Sequence, residues 1–449
     1  MNRLSLNNGS ALFIVLIVLL LITTLFSAVI LYGSYHRRLA LQDIQDSQAY
    51  YLAESGIEYA LAKLNEEPRF EQTFTEDISP NGIIEVALKP FGAYLLCESR
   101  GIAGKRNKII HCLIGAVPDQ MFAHALNLGG QDYPLTLAGH TTIIGDVLVS
   151  PSGVLPGRFK GQRFGSDKLV YGEIIKSPTD RMPLYDDTII TEFIDGLSRI
   201  DIMSAKRLDK TTIIEDNTID LIEQDSLLKF DANLIINLVN KKLDLTNKYL
   251  RVGGNLHITS DSKIYGYGII EVEGETLLDG DCQVKDMVIV AKRESMITGN
   301  AIYAGQLLGN ADIEVQGNAA LSQSATLINI GELTDESRCI YLNTAEGSSG
   351  YIICDLLTAG INQPGRQRML KAIDLADSAD FTGLIFNSGY SKISGKLTGN
   401  ISSGSFYIYD APTVYINWLV DAMLESSSEI KVVPAVFAGA NGYGKISGL

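Results

Sequence analysis

The chain has 449 residues, of which 46% are hydrophobic, with 42 Gly and only 12 Pro, enough material for a large buried core and a second, smaller unit. The formal net charge is -15 and the pI is about 4.9, so the overall field of the protein repels nucleic acids and anionic lipid surfaces. Nucleic acid is therefore not expected as a general partner.

The first predicted element is a membrane-spanning helix at the N-terminus. No charged residue occurs between Arg3 and His36, and residues 11–32 are almost wholly apolar. A stretch of roughly 20 apolar residues is what a helix needs to cross a bilayer. A secretory signal peptide would have a shorter apolar core, a small-x-small cleavage site and a break in the helix, so cleavage near Ala28 or Gly33 is the weaker alternative.

A second apolar run continues the same helix beyond the membrane segment. Its small and aliphatic residues recur at the three- and four-residue spacing of one helix face, and they are Ala49, Leu52, Ala53, Gly56, Ile57, Ala60, Leu61 and Leu64. Because this face is narrow, a β-sheet or a neighbouring helix can approach it closely. Pro68 ends the run. Taken alone, the two runs could equally well be a membrane anchor followed by an ordinary core helix.

The order of these segments resembles one protein family. A short polar leader ending in Gly9, an apolar helix opening SALFIVLIVLLL and the continuation AYYLAESGIEYAL are similar to the N-terminus of type IV pilus minor pilins of the PilX-like group and of related secretion pseudopilins. The resemblance implies that a prepilin peptidase cuts after Gly9, so that residues 1–9 are a leader and the mature chain begins at Ser10. Residues 10–66 would then form the pilin-like transmembrane and amphipathic helix.

One position departs from the pattern of most major pilins. They carry a Glu at the fifth mature position, where its carboxylate neutralises the amino terminus of an adjacent subunit, and a charge at that depth is costly unless it is paired. Here the fifth mature residue is Ile14. The resemblance to family members that also lack this Glu implies a subunit that begins an assembly or caps its tip. The alternative is that Ile14 simply faces lipid in a protein that never polymerises.

Three short β-rich runs follow the helix within residues 67–120. GIIEVALK, GAYLLCES and NKIIHCLIG are separated by turn signals, which predicts a small antiparallel meander. If the second turn centres on Gly104 and Lys105, Cys97 lies directly opposite Cys112, close enough for a disulfide.

A second pair of cysteines repeats this arrangement. Cys339 and Cys354 flank a turn in RCIYLNTAEGSSGYIIC, and Cys282 is left over. Two matched pairs favour disulfides and an oxidising compartment, although four buried thiols are the alternative. The pairs therefore oppose the cytoplasmic orientation that Arg37 and Arg38, just beyond the membrane segment, favour under the positive-inside rule.

From about Phe122 onward the chain alternates short apolar strands with Gly-Asn turns. The Gly-Asn pair begins at residues 254, 299, 309, 317 and 399, an irregular spacing expected when the coils of a solenoid differ in loop length. This predicts a parallel β-helix over residues 121–449. Residues from about 156 to 246 have mixed charge and helical or mixed periodicity, which predicts an insertion covering an end or a side of the solenoid. The predicted fold class is mainly β, with a transmembrane pilin-like helix and a small α+β head before the β-helix.

No motif for catalysis or cofactor binding stands out. The five His residues are scattered without zinc-ligand spacing, and no nucleophile elbow or phosphate loop is present, so neither a cofactor nor a metal is expected. Some β-helices are polysaccharide lyases or hydrolases, and Asp261, Glu271, Glu273 and Asp286 could line such a face. A solvated strand face explains these carboxylates better, so an enzyme is not expected.

Three functional classes remain. The leading one is a minor pilin or pseudopilin-like subunit, held in the bacterial inner membrane by residues 11–32 and then part of a periplasmic or cell-surface filament with other pilin subunits. The second makes the β-helix an adhesin for a surface or a polysaccharide, which an exposed cluster of Tyr265, Tyr267, Tyr390 and Tyr415 would favour. The third is a membrane-tethered cytoplasmic scaffold similar to bactofilins, with reduced cysteines and an uncut leader.

Overall fold

The computed structural model describes residues 8–80, 82–130, 132–322, 324–331, 339–355, 373–428, 430–439 and 442–446. The chain divides into two compact units. The first comprises the residues up to 89 together with residues 96–112, and the second comprises residues 90–95 and the chain from residue 113 onward.

A single helix, α1 (Asn8–Glu66), runs for 59 residues. No proline interrupts it, and Pro68 follows its end, where a proline ring and a missing N–H prevent a further turn. Hydroxyl groups in its apolar half bond to the preceding turn, as Thr23 Oγ1 does to the Leu19 carbonyl at 2.8 Å. The helix is long and apolar enough to cross a membrane, because an 18-residue window has a mean hydropathy of 3.1 and none of that window is buried within the protein.

Four strands follow α1 in a small antiparallel sheet: β1 (Gln72–Ser79), β2 (Gly82–Phe91), β3 (Tyr94–Ala103) and β4 (Arg106–Ala116). They are neighbours in chain order. Alternate residues of β2 are buried, among them Ile84, Val86 and Leu88, which is the period of a strand with one covered face. Gly104, with a φ of 60°, makes the tight turn from β3 to β4.

In its described residues, the second unit consists of many short strands together with the α-helices α2 and α3. In chain order they are β5 (Leu126–Leu128), β6 (Leu135–Ala138), β7 (Thr142–Ile144), β8 (Val147–Val149), β9 (Val154–Pro156), β10 (Arg158–Phe159), β11 (Gln162–Arg163), β12 (Ile174–Lys176), α2 (Thr188–Ser198), β13 (Lys206–Leu208), β14 (Thr212–Ile214), α3 (Asp220–Glu223), β15 (Leu227–Phe230), β16 (Leu234–Leu238), β17 (Lys242–Asp244), β18 (Tyr249–Val252), β19 (Leu256–Ser260), β20 (Lys263–Tyr265), β21 (Ile269–Val272), β22 (Thr276–Leu278), β23 (Gln283–Ala291), β24 (Ser295–Ile297), β25 (Ile302–Gly309), β26 (Ile313–Val315), β27 (Ala320–Leu321), β28 (Thr326–Asn329), β29 (Ile340–Leu342), β30 (Ser348–Cys354), β31 (Ile373–Leu375), β32 (Asp380–Ile393), β33 (Lys396–Asp410), β34 (Thr413–Ile416), β35 (Trp418–Val420), β36 (Met423–Glu425) and β37 (Tyr443–Lys445). The last strand pairs antiparallel with residues 114–116 of β4.

Parallel pairing of these strands builds a three-sided solenoid. One coil contributes β18, β19 and β20, and the next coil pairs β21, β22 and β23 with them. Apolar residues at one register position form a continuous column, in which every member is 0% exposed: Leu228, Leu250, Ile270, Ile289, Leu307, Leu327, Ile352, Ile385 and Ile401. Stacking therefore makes the core that no single coil could make. The predicted fold class, a pilin-like helix and small antiparallel sheet before a parallel solenoid, is confirmed.

The first coils of the solenoid stack on its last coil. β33 pairs with β32 on one side and with β5 on the other, so Ile401 lies between Ile385 and Leu126. β5 then pairs with β8, and β8 pairs with β12. From β12 the chain returns through residues 177–205, which include α2, to β13 at the opposite end of the stack.

Part of the predicted insertion belongs to the solenoid. The sequence predicts an insertion over about 156–246, whereas the strands from β13 to β17 pair in parallel with later coils, Leu234 with Leu256 for example. Residues 156–205 hold the β10–β11 hairpin, α2 and the strand β12, which pairs in parallel with β8. The helical periodicity was misleading because short turns separate these brief strands. Within β16 the buried residues Leu234, Ile236 and Leu238 alternate with a period of two.

Candidate assembly helix and other candidate sites

None of the described residues of the first unit covers the first half of α1. Its large apolar side chains from Leu12 to Tyr32 are between 42% and 70% exposed, and Ile14 is 59% exposed. A surface this apolar requires lipid or other apolar helices around it. Gly9 and Ser10 lie at the start of α1, whereas residues 1–7 of the predicted leader lie outside the described residues, so cleavage after Gly9 stays a prediction.

The second half of α1 packs tightly on the sheet of the first unit. On the predicted narrow face, Leu52 is half-buried and the other members are buried: Ala49, Ala53, Gly56, Ile57 and Ala60. A Cβ added at Gly101 of β3 would lie 2.0 Å from the Ala49 carbonyl oxygen and 2.4 Å from the Ala53 nitrogen. Helix and strand are therefore in backbone contact there. The chain's own sheet therefore covers this face of α1.

Polar pairs border this contact. Lys63 Nζ lies 3.3 Å from Glu76 Oε1 and 4.2 Å from the centre of the Phe74 ring, so the end of α1 is held against β1. Arg106 Nε lies 3.6 Å from Asp46 Oδ1 at the other end of the contact. Such half-exposed pairs contribute little free energy, but they favour one register of helix on sheet.

An apolar stripe on the opposite side of α1 was missed in the sequence. Leu41, Ile44 and Tyr51 are exposed, and their spacing of three and seven residues places them on one helix face, away from the buried residues Ala49 and Ala53. This face lies beyond the membrane segment and is free of the chain's own sheet. The sequence signal of this stripe is the same helical periodicity, followed on the opposite face of α1.

The cysteines are buried in both units. Burial raises the pKa of the Cys97 thiol to about 12, with smaller contributions from Cys112 and Glu98. Such a thiol stays protonated at neutral pH. Cys339 and Cys354 are joined by a disulfide in the structure. The redox state of both pairs in the cell stays a prediction.

The carboxylates considered for catalysis occupy three different positions on the coils. Glu271 and Glu273 belong to the end of β21 and its following turn, Asp261 lies in the turn between β19 and β20, and Asp286 lies at an irregularity in β23. Burial raises the pKa of Asp286. No common site of these four groups is formed.

Glu273 is part of a charge network. Its Oε1 lies 2.9 Å from Arg251 Nη2 and 2.6 Å from Lys292 Nζ. Burial alone would raise the pKa of Glu273, but hydrogen bonds from these two cations outweigh burial and lower that pKa. A carboxylate held in this way is ionised at neutral pH and is a poor general acid. Arg251, Glu271 and Lys292 also line a cleft of about 350 Å³ beside α2.

Among the residues that the structure describes, no group of three or more His, Cys, Asp or Glu side chains is placed to hold a metal ion. The four tyrosines proposed as an adhesive cluster are also found in different surroundings. Tyr267 lies near Phe91 and Tyr390 near Tyr407, and Tyr265 is exposed on an early coil. Tyr415 instead contacts Phe159, which is distant in the sequence, and Trp418, which follows it closely in the chain.

Comparison with known proteins agrees with the helix geometry. The family model described as PilX N-terminal matches residues 8–58, which lie within α1. The N-terminus is type IV pilin-like. The exposed apolar helix, followed by a helix–sheet contact, fits membrane anchoring by this pilin-like start of the chain.

The crystal structure of the competence-associated pilin ComZ from Thermus thermophilus is similar over 90% of this chain and 97% of that chain, with 12% identity and a TM-score of 0.21. No curated protein matches the sequence.

Proposed function

We propose that this pilin-like chain is a non-enzymatic minor pilin or pseudopilin-like subunit that starts or caps a type IV pilus-like filament and displays its β-helix there. The observation that carries the proposal is the difference in surroundings between the two halves of α1. Its first half is apolar and exposed, whereas its second half is held by the chain's own sheet. One half is thus available to a bilayer or to other pilin helices, and the other half fixes the helix in its own unit.

Ile14 supports a terminal position in the filament. A subunit that carries no carboxylate at this depth cannot neutralise the amino terminus of a neighbour, so it is suited to a place where that neighbour is absent. In this proposal the protein is first anchored in the bacterial inner membrane, where a prepilin peptidase removes residues 1–9. The filament then carries it into the periplasm or to the cell surface. Its direct partners are other pilin or pseudopilin subunits.

Leader cleavage is tested by intact mass. The full chain is expressed in bacteria with and without a prepilin peptidase, and loss of residues 1–9 is expected only with the peptidase. Gly9→Val is the matched control and should stay uncut, because the peptidase of this family cuts after Gly. An uncut wild-type chain in both strains would contradict the proposal and favour the tethered scaffold.

The terminal position is tested by immunogold electron microscopy of sheared filaments, with an antibody against the β-helix. We expect label at one end of each filament. Label along the whole length would show an ordinary shaft subunit and overturn the terminal role. Label on membranes alone, with none on filaments, would overturn the filament role itself.

A further inference from the structure

Two hairpins of the second unit meet side by side. One is formed by β10 and β11, and the other by the end of β33 with β34. Lys160 Nζ at the first turn lies 3.0 Å from Asp410 Oδ1 at the second. The Phe159 and Tyr415 rings lie 5.3 Å apart, so an ion pair and an aromatic contact join the two hairpins.

The aromatic contact extends to the only tryptophan of the chain. The Tyr415 and Trp418 rings lie 5.1 Å apart, and a Cβ added at Gly157 would lie 2.9 Å from two atoms of the Trp418 ring. The indole therefore rests on a backbone with no side chain, which fixes its position. Phe159, Tyr415 and Trp418 are each half-buried, so part of every ring faces solvent.

The neighbouring sheet extends this apolar surface. Trp418 pairs with Thr136, which pairs in turn with Leu155, so the three side chains form one row across β35, β6 and β9. Leu155 is 48% exposed. A partly exposed row of an indole, a threonine and a leucine side chain, beside polar groups, is typical of an interaction surface.

The polar groups at this surface determine its ligand chemistry. Gln162 lies opposite Phe159 in the β10–β11 hairpin and so shares its face, and Asp410 with Lys160 forms a neutral pair. Together these groups offer both donors and acceptors, which suits hydroxyl groups, since each hydroxyl both donates and accepts. The phosphate or carboxylate groups of an anionic polymer only accept hydrogen bonds and would meet the Asp410 carboxylate, which cannot donate to them.

We propose that this surface, formed by Leu155, Phe159, Gln162, Asp410, Tyr415 and Trp418, binds a neutral polysaccharide. The C–H faces of the sugar rings pack on the aromatic rings, and the hydroxyls bond to Gln162, Asp410 and Lys160. The binding does not depend on leader cleavage or on a place in a filament. The proposed function and this proposal can therefore fail separately.

Trp418 provides a direct readout, because no other residue of the chain contributes tryptophan fluorescence. The full chain in detergent micelles is titrated with cellohexaose, chitohexaose and maltohexaose up to about 10 mM, a range in which a weak specific site still saturates. We expect a saturable change in Trp418 emission with at least one of them. Tyr415→Ala should weaken that affinity by about ten-fold or more, since a central aromatic residue dominates such surfaces.

Tyr265→Ala is the matched control, because it removes an exposed tyrosine from a distant coil and should leave the affinity unchanged. The thermal unfolding temperature of each variant shows that it is folded, and Gln162→Ala replaces Tyr415→Ala if the latter unfolds. Absence of a saturable response to all three sugars overturns the proposal. So does an equal affinity in the folded Tyr415→Ala or Gln162→Ala variant, or a response to polygalacturonate or single-stranded oligothymidine alone.

Discussion

Two glycines determine how closely α1 and β3 approach each other, but their surroundings differ. A Cβ at Gly101 would meet backbone atoms of Ala49 and Ala53, which cannot move without displacing the helix. A Cβ at Gly56 would meet the Ser99 hydroxyl at 2.2 Å, and a side chain can rotate away. The close approach therefore depends on the glycine of the strand more than on that of the helix.

Gly101→Ala should lower the free energy of unfolding by about 1–3 kcal/mol, as expected for overpacking against a rigid backbone. Gly56→Ala should lower the free energy of unfolding by a smaller amount. Gly33→Ala is the control in the same helix, because a Cβ there meets nothing within 4 Å. The measurement is hydrogen exchange of the β3 amides in the detergent-solubilised chain. Equal protection in Gly101→Ala and Gly33→Ala would show that helix and strand are not in contact.

Within the solenoid, individual coils are linked by charges as well as by apolar columns. Arg251 on β18, Glu273 after β21 and Lys292 after β23 belong to three successive coils and meet at one point. Arg251 and Glu273 are half-buried and Lys292 is exposed, so the network contributes only modestly to stability. Its contribution depends on pH through the lowered pKa of Glu273.

Glu273→Gln should lower the free energy of unfolding at pH 7 by up to about 1 kcal/mol. A carboxyl whose pKa is lower in the folded state stabilises that state above its unfolded pKa, and the stabilisation is lost as the pH falls through the folded pKa. The difference from wild type should therefore disappear in acid, below the usual value of 4.5. Urea unfolding at several pH values measures it, with exposed Glu275→Gln as the control. A difference independent of pH would contradict the charge network.

The stack order makes the second unit depend on contacts between distant parts of the chain. Leu126 and Ile401 lie side by side, although most of the body separates them in sequence. Forming a contact between segments so far apart in sequence is slow. The first coils cover one end of the last coil, where an open strand edge would otherwise remain.

Leu126→Ala should destabilise the second unit by about 2–5 kcal/mol, because the residue is 0% exposed and its removal leaves a cavity. Exchange protection should fall in residues 126–128 and in residues 401–403 together. Leu184→Ala, at a 70% exposed leucine, is the matched control and should change stability by less than about 0.5 kcal/mol. Loss of protection in residues 126–128 alone would contradict the stacking of first on last coil.

Burial of the Tyr303 phenol predicts that the second unit loses stability in alkali. Tyr303 is fully buried, burial raises the pKa of its phenol well above the usual 10.0, and its hydroxyl has no hydrogen-bond partner among the described residues. The folded state therefore keeps a proton that the unfolded state releases above pH 10, so the free energy of unfolding falls as the pH rises. Tyr303→Phe should raise the free energy of unfolding by up to about 1 kcal/mol at pH 7, since it removes an unpaired buried hydroxyl.

The gain from Tyr303→Phe should grow by about 1.4 kcal/mol per pH unit above the unfolded pKa of tyrosine. Urea unfolding at pH 7 and above pH 10 measures both effects. Tyr265→Phe, at an exposed position, is the control and should show no such growth. A gain that stays constant with pH would show that the Tyr303 phenol ionises in the folded protein.

The elements with strong local periodicity could be predicted from the sequence. The apolar run and the small-residue face of α1, the alternation in β2 and most of the Gly-Asn turns are read within a few residues, because one covered face imposes its own period on the chain. The Gly399–Asn400 pair is the exception, because it lies inside β33 and makes no turn. The pilin-like N-terminus belongs to this group, since the family pattern is local and continuous. The misread part was residues 206–244, where strands of three to five residues are too short to show a clear period.

The tertiary structure alone decided which distant segments meet. It placed the first coils on the last coil, separated Tyr265, Tyr267 and Tyr390 from Tyr415, and brought Phe159 to Tyr415 and Trp418. Such contacts depend on the number and length of the coils between the segments, which no local pattern encodes. The sequence by itself therefore determined the helix, the strand type and the pilin-like start, and the stacking determined the ends of the solenoid and the surface proposed to bind sugar.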